Sequence, residues 1–368
     1  MTTTICTLFY VIYLLIIRVI GVLKQNKNEL SLAEFPEKLM LSDITVLIPF
    51  RNEAKRIEQL LTCLNTSTKF PANIVFINDH STDDSIQIIA QNASFLNFNV
   101  LSMPDDLNGK KQAIRFGIAA FPSSYYLTMD ADIVFASDYF QMLEDLPKVD
   151  MVILPVILKA NSFFQRFFEL DVLLINALNQ GIAGLKSPIV ASGANLIFKA
   201  TTFHKVDSIE KHAHINSGDD VFLLNDFKKA GANVILASSM KHAVCTETPQ
   251  SINEYLQQRL RWFSKTGAVK DKDASILVAL QAVFTGLFFV GIVYYGIHAN
   301  WIEFFTVIFL KLFVDTLFFW QFFQLQGRLA TLILLPFYAL IFPFYSILIV
   351  TLSNYKTVQW KGRIIKNY

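Results

Sequence analysis

The chain has 368 residues, 53% of them hydrophobic and 17% charged, with 34 phenylalanines and a mean hydropathy of +0.41. That is too apolar for a soluble protein of ordinary composition, so part of the chain is expected in lipid. A net charge of +2 gives no sign of nucleic acid as the main partner, and Cys6, Cys63 and Cys245, without a CxxC pair, support neither a disulfide framework nor a cysteine zinc site.

The first element is the run ICTLFYVIYLLIIRVIGVL, Ile5 to Leu23. It is long enough for one crossing, at ~20 residues per ~30 Å of hydrocarbon, and Arg18 is close enough to its end to snorkel. A cleaved signal peptide begins positive and ends in small residues; here Lys24 and Lys27 follow the apolar run, so residues 1–24 are expected to be an uncleaved anchor.

From Leu41 to Lys270 short apolar runs alternate with helical ones. ITVLIPF, ANIVFIND, FNVLSM and YYLTMDAD read as buried strands ending in polar residues, separated by helices beginning near Glu53, Thr82 and Lys110. Such an order predicts right-handed crossovers, a mostly parallel α/β sheet over 41–270, and a ligand site at the carboxyl ends of the strands.

Those ends carry PFRNE (Pro49 to Glu53), NDHSTDDS (Asn78 to Ser85) and DAD (Asp130 to Asp132). Ser81 and Asp84 read as a capping box for the next helix, which leaves Asp79 unexplained. On an extended backbone Asp130 and Asp132 point to the same side and repel unless a cation or a proton offsets them. A hard ion such as Mg²⁺, completed by phosphate oxygens and water, meets that need, although a DxD is also an ordinary surface turn. Lys110 in GKKQAI reads equally as a phosphate ligand or a solvated lysine at a helix start. Asn161 to Gly181, rich in Phe and Leu, suits an interfacial helix or a packed core helix, and SINEYLQQRLRWFSK suits an interfacial one.

Asp219 and Asp220 in SGDDVFLL favour a helix start in any case. Arg259 and Arg261 in QQRLRW do not share a helical face, which suggests a helix end or a turn. His212 and His214 read as loop histidines or metal ligands, and His242 as a further metal ligand.

Three apolar blocks follow: Ser275 to Ile297, Trp301 to Phe323 and Leu329 to Leu352. The first carries no charge. Glu303, Lys311 and Asp315 fall on one face of the second; internal pairing is the simple reading, a transport or head-group role the sharp one. Pro336 and Pro343 are each able to kink or break the third. Basic residues flank the central region and fill the tail 353–368, so the positive-inside rule puts both in the cytoplasm, against three full crossings over 275–352; either the tail faces outward or one block is re-entrant. The central region is expected to be cytoplasmic, as in a bacterial inner-membrane protein.

Taken together, NDHSTDD, DAD, SGANLIF, SGDD and QQRLRW resemble, in order and spacing, family 2 glycosyltransferases of the GT-A fold, in the membrane-bound branch of ceramide glucosyltransferase-like and polysaccharide-synthase-like enzymes. The resemblance covers Ile44 to Trp262 and the anchor layout. It implies a Rossmann-like, mixed but mostly parallel sheet, one N-terminal transmembrane helix, about three C-terminal membrane segments, a UDP- or GDP-sugar donor and Mg²⁺ or Mn²⁺. By position, Asp79 matches the base-contacting aspartate, with Asn78 and His80 replacing the commoner Asp and Gly. Asp132 matches the metal ligand, and Asp130 lies nearer the ribose or diphosphate. Asp220 matches the general base, with Asp219 in place of Glu. Gln258, Arg259, Arg261 and Trp262 match QxxRW, over the diphosphate and acceptor. Pro49, Arg51, Glu53 and Lys110 complete the expected donor site. The expected reaction is inverting transfer to a membrane lipid or lipid-linked acceptor; the competing readings are a processive exopolysaccharide synthase and a non-catalytic scaffold.

Overall fold

The computed structural model describes residues 35–94, 97–206, 219–266, 271–355, 358–360 and 363–365, with positions 10, 12, 14–16, 21, 23 and 24 of the N-terminal segment, which are helical. The strands are β1 (Ile44–Phe50), β2 (Asn73–Asn78), β3 (Phe98–Ser102), β4 (Tyr125–Met129), β5 (Ile133–Val134), β6 (Met151–Ile153), β7 (Val156–Lys159), β8 (Asn195–Lys199), β9 (Val234–Leu236), β10 (Val244–Glu247), and the hairpin β11 (Val358–Trp360) and β12 (Arg363–Ile365). The helices of the central region are α1 (Ile57–Asn65), α2 (Ser85–Asn92), α3 (Lys110–Ala120), α4 (Tyr139–Leu143), α5 (Phe163–Leu185), α6 (Ala200–Val206), α7 (Asp219–Lys229) and α8 (Ile252–Thr266). After them come α9 (Lys272–Ile297), α10 (Trp301–Leu325), a 3-10 turn (Leu329–Leu334) and α11 (Leu335–Tyr355).

The main sheet has the order β3-β2-β1-β4-β8-β6-β9. β3, β2, β1 and β4 run parallel, β8 is antiparallel to β4 and β6, and β9 is parallel to β6. The sheet is mixed and mostly parallel, as expected. Period-2 alternation divides its core in two. Val46, Ile48 and Phe50 face one layer with Ile57, Leu60, Leu61 and Leu64, the apolar stripe of α1. Leu47, Val75 and Ile77 face the other with Ala113, Ile114 and Ile118 of α3. Burying each such side chain stabilises by roughly 1.5–3 kcal/mol, so both layers hold the strand ends rigidly.

Two topological facts build the site. Parallel β1, β2 and β4 bring PFRNE, NDHS and DAD to one edge. Antiparallel β8 starts where β4 stops, Asn195 pairing with Met129, so the Ser192–Ala194 loop reaches that same edge. A small sheet, β5-β10-β7, closes one flank.

α5 begins with a complete capping box between Ser162 and Gln165. Phe163 and Phe164 in its first turn are 67% and 56% exposed, whereas Phe168, Leu170, Leu173, Leu174 and Ala177 are buried. Several of these pack with Tyr10, Leu14, Phe318 and Phe322, so α5 is a core helix with an exposed apolar head. Among the described residues two helical stretches are long and apolar enough to cross a membrane, Lys272–Ile297 and Leu329–Ser353, with mean hydropathies of 2.5 and 2.3. Pro343 lies inside α11, which does not break there, and Pro336 falls in its first turn, where the missing N–H costs nothing. Lys311 and Asp315 form an internal pair at 2.6 Å, and the Tyr10 hydroxyl donates to Asp315 at 2.6 Å; Glu303 is exposed, away from them.

Candidate active site

The loops after β1 and β2 brace each other through side chains that accept backbone N–H groups. Asn52 N–H donates to Ser81 Oγ (3.1 Å), Glu53 N–H to Ser85 Oγ (2.8 Å), Ala54 N–H to Asp83 Oδ2 (3.0 Å), and Thr82 N–H to Asn52 Oδ1 (2.8 Å). Burial pushes the Asp83 carboxyl up, but hydrogen bonds from the Ser85 hydroxyl and from the backbone amides of Ala54 and Ser85 outweigh it and hold the group below the usual carboxylate range. The expected capping box is therefore corrected: α2 starts at Ser85 with Asp84 at the N-cap and no side-chain cap bond, because Ser81 is engaged across the loops. Asn52 and His80 have φ of 53° and 55°. The left-handed backbone at His80 explains why glycine suits that position, and the His80 ring bonds Leu107 O at 2.9 Å.

Asp79 is buried at the end of β2, where Arg51 Nη1 donates to its carbonyl at 2.9 Å and Gly109 N–H to its carboxylate at 3.2 Å. β4 ends at Met129 and residues 131–132 turn, so the aspartates of DAD leave the extended backbone; both still line the same cavity. Each lies beside a base. Lys110 Nζ donates to Asp130 Oδ1 at 2.6 Å, and Arg56 Nη1 lies 3.5 Å from Asp132 Oδ2. Lys110 thus serves a carboxylate in this structure, and also donates to Gly193 O at 3.3 Å. Gly193 N–H in turn donates to Asp220 Oδ2 at 3.1 Å. One glycine residue, through its N–H and its carbonyl, links the base that holds Asp130 to Asp220.

Asp220 sits in the first turn of α7, where Val221 N–H donates to its Oδ1 at 2.8 Å. α8 runs through QQRLRW to Thr266, which corrects the expected helix end, and the two arginines take different surroundings. Arg259 is 5% exposed, with Nε 3.0 Å from Asp171 Oδ2 and its guanidinium over the rings of Tyr255 (4.9 Å) and Trp262 (4.4 Å). Arg261 is half-buried. Pro49, Arg51, Glu53, Asp79, Lys110, Asp130, Asp132, Asp220, Gln258, Arg259, Arg261 and Trp262 all line one cavity of about 1380 Å³. It continues along α9, α10 and α11 past Phe288, Phe319, Phe342 and Val350, and exceeds the ~300–1,000 Å³ of ordinary ligand pockets.

His242 is not brought to this site. It is buried, its Nε2 pairs with Met142 O at 3.0 Å, and burial lowers its pKa to about 4. His212 and His214 lie outside the described residues. Among the described residues no group of three or more His, Cys, Asp or Glu forms a metal centre. Arg56 and Asp171 lie outside the sequence motifs, and Gly193, inside SGANLIF, was given no role there. Only Asp171 left a signal, as a charge inside an apolar run.

The sheet order with acidic residues clustered at the ends of β1, β2 and β4 is that of a GT-A domain. A mannosyltransferase of Pyrobaculum calidifontis, in complex with GDP-Man and Mn²⁺, shares the fold with a TM-score of 0.51 at 15% identity, over 94% of this chain and 96% of that one. Glucosyl-3-phosphoglycerate synthase from Mycobacterium tuberculosis gives a TM-score of 0.39 at 17% identity over 63% and 82%. Residues 45–193 match Glycosyl transferase family 2, and residues 125–353, more than half of the chain, match Glycosyl transferase family group 2. The chain belongs to the family 2 glycosyltransferases. Over 148 residues it is 28% identical to a poly-β-1,6-N-acetyl-D-glucosamine synthase of Staphylococcus epidermidis, covering 38% of this chain and 35% of that protein. It thus spans about a third of the length of the curated relatives it matches.

Proposed function

We propose that the chain is a membrane-anchored inverting glycosyltransferase that moves one sugar from a nucleotide-sugar to a lipid or lipid-linked acceptor, with the domain 41–270 on the cytoplasmic face. The observation that carries this reading is the cavity that joins Asp79, Asp130, Asp132 and Asp220 to the apolar helices α9 and α11. A polar donor and an acyl chain need such a passage, and a hydroxyl arriving from the bilayer side meets Asp220 without leaving lipid.

Asp79 is the candidate for the nucleobase, either uracil or guanine. The acceptor hydroxyl gives its proton to Asp220 while its oxygen forms a bond to the anomeric carbon. The bond from that carbon to the diphosphate breaks, and the nucleotide takes the electron pair. One such displacement inverts the anomeric configuration. Arg51, Arg261 and Lys110 supply positive charge where the leaving diphosphate develops negative charge. Two carboxylates on the wall of one cavity fit a divalent ion whose other ligands include phosphate oxygens and water. Asp130 and Asp132 would hold Mg²⁺ or Mn²⁺, and when bound the ion supplies Lewis-acid stabilisation of the diphosphate. The Pyrobaculum protein was crystallised with GDP-Man and Mn²⁺, as this reading expects here.

The Staphylococcus relatives favour a second reading, a processive polysaccharide synthase. Size analysis of a labelled product distinguishes them: one sugar on an organic-soluble lipid supports transfer to lipid, and a water-soluble ladder supports the synthase. In either case Asp220→Asn is expected to abolish turnover and leave donor affinity within about threefold. Normal turnover in that variant removes Asp220 from the mechanism.

A further inference from the structure

Resting on the assignment of Asp79 and Lys110 to the donor site, we propose that His80 is a positioning residue for the nucleotide-sugar: its ring holds the connection from β3 to α3 in the shape that the donor needs. His80 has a φ of 55°, a left-handed backbone that glycine adopts freely and most side chains do not. A side chain kept there at a cost in backbone energy points to a task for that side chain. The ring reaches across the chain, and its Nε2 lies 2.9 Å from Leu107 O. A carbonyl only accepts, so Nε2 must donate, which it does in the neutral Nε2–H tautomer and in the imidazolium alike. The other ring nitrogen faces the fully exposed Asp105 at 4.0 Å, too far for a hydrogen bond.

Three consecutive residues at the end of β2 grip this one connection. Asn78 O accepts Met103 N–H at 3.1 Å, the Asp79 carboxylate accepts Gly109 N–H at 3.2 Å, and His80 takes hold of Leu107 between them. Pro104, Asp105, Asp106 and Asn108 are exposed, so the connection buries little of itself, and Leu107 N–H turns back onto Pro104 O at 3.0 Å. Gly109, at φ 89°, opens α3. The next residue is Lys110, whose Nζ donates to Asp130 at 2.6 Å. His80 is not on the wall of the cavity, whereas Asp79 and Lys110 are. Releasing Leu107 therefore loosens the chain beside the N–H that meets Asp79 and the base that meets Asp130, and the cost falls on nucleotide affinity.

The test is calorimetric titration of UDP and of GDP, each with Mn²⁺, into the full chain in nanodiscs. A parent that binds neither nucleotide overturns the donor-site reading and the proposal with it. His80→Gly is expected to weaken the nucleotide that the parent binds by about five- to twentyfold, the size of one lost hydrogen bond. Its Tm should stay within about 3 °C, because glycine also relieves the left-handed backbone, and hydrogen exchange at the amides of 105–109 should quicken at least about tenfold. His80→Gln, whose amide nitrogen reaches about as far as Nε2, is expected to restore affinity to within about threefold of the parent. Asp105→Asn should leave affinity within about twofold, since the tether and not the charge is responsible. Parental affinity in His80→Gly, failure of glutamine to restore it, or an equal loss in Asp105→Asn overturns the proposal and leaves the donor-site reading standing. A loss that comes with a fall in Tm of more than about 8 °C in both His80 variants makes the histidine a folding residue and overturns it as well.

Discussion

Asp132→Asn separates the two contributions a carboxylate can make at that position. In the folded protein Asp132 is paired with Arg56 at 3.5 Å, with side-chain exposures of 27% and 47%. A pair that exposed stabilises by about 0.2–1 kcal/mol, and the isosteric amide keeps the shape, so unfolding should shift by no more than about 2–4 °C. The expected effect on chemistry is much larger. An ion shared with the diphosphate supplies several kcal/mol of charge stabilisation; losing one of its two protein carboxylates should cost on the order of 3–4 kcal/mol, about 10²–10³-fold in turnover. Thermal unfolding, turnover and calorimetric titration of Mn²⁺ in the presence of the nucleoside diphosphate, on one preparation, give all three quantities. Unchanged ion-dependent nucleotide affinity would refute the ligand assignment. A turnover loss accompanied by a fall in Tm of more than about 8 °C would make Asp132 a structural residue instead.

Lys110→Met removes the base that joins Asp130 to Gly193. Donor affinity measured by calorimetry should fall about 10–100-fold, the size of a lost charge-assisted contact, and an affinity within twofold of the parent sinks the assignment. His242 is held neutral down to about pH 4, against 6.5 when unfolded. The unfolded chain therefore binds the extra proton first, and stability present above pH 6.5 declines as pH falls towards 4, by up to ~3 kcal/mol. His242→Gln should flatten that part of the Tm-against-pH curve, and parallel curves for parent and variant would refute the cause. A β-carbon at Gly21 would overlap the backbone oxygen of Gly181, so Gly21→Val should loosen the N-terminal helix from α5 and cost about 1–3 kcal/mol. Unchanged Tm and unchanged cross-linking between cysteines placed on the two helices would show that they do not touch.

What could be read from the sequence was what local pattern encodes. β1 is visible in ITVLIPF because a strand buried on both faces is an unbroken apolar run that stops at Arg51. α1 starts at Ile57 and not near Glu53 because residues 51–56 are held by the loop after β2; a contact across some thirty positions leaves no trace in a helical period. The small sheet was invisible for the same reason, since β5 has two residues and pairs with β10 far along the chain. The acidic members of the site were legible as motifs. Lys110 was legible as a base near the site but its pairing with Asp130 was not, and Arg56 acquires meaning only when the loop after β1 lies beside the end of β4.

The same contrast explains how the candidate site and the apolar helices after it are held in register. Three ion pairs tie the central region to the segment that follows it: Arg328 with Glu169, Lys228 with Asp271, and Lys186 with Asp273. Such pairs are poor glue when buried, since desolvation offsets most of the attraction, but breaking one leaves a stranded charge, so they fix geometry strongly. Asp271 has a double role, capping α9 through the N–H groups of Asp273 and Ala274 while accepting Lys228 of α7. α7 also carries Asp220. α9, one of the two stretches long and apolar enough to cross a membrane, and the candidate general base therefore hang from one short helix, and in the proposed transfer the depth at which an acceptor hydroxyl meets Asp220 is set by that connection, not by the motifs that announce the family.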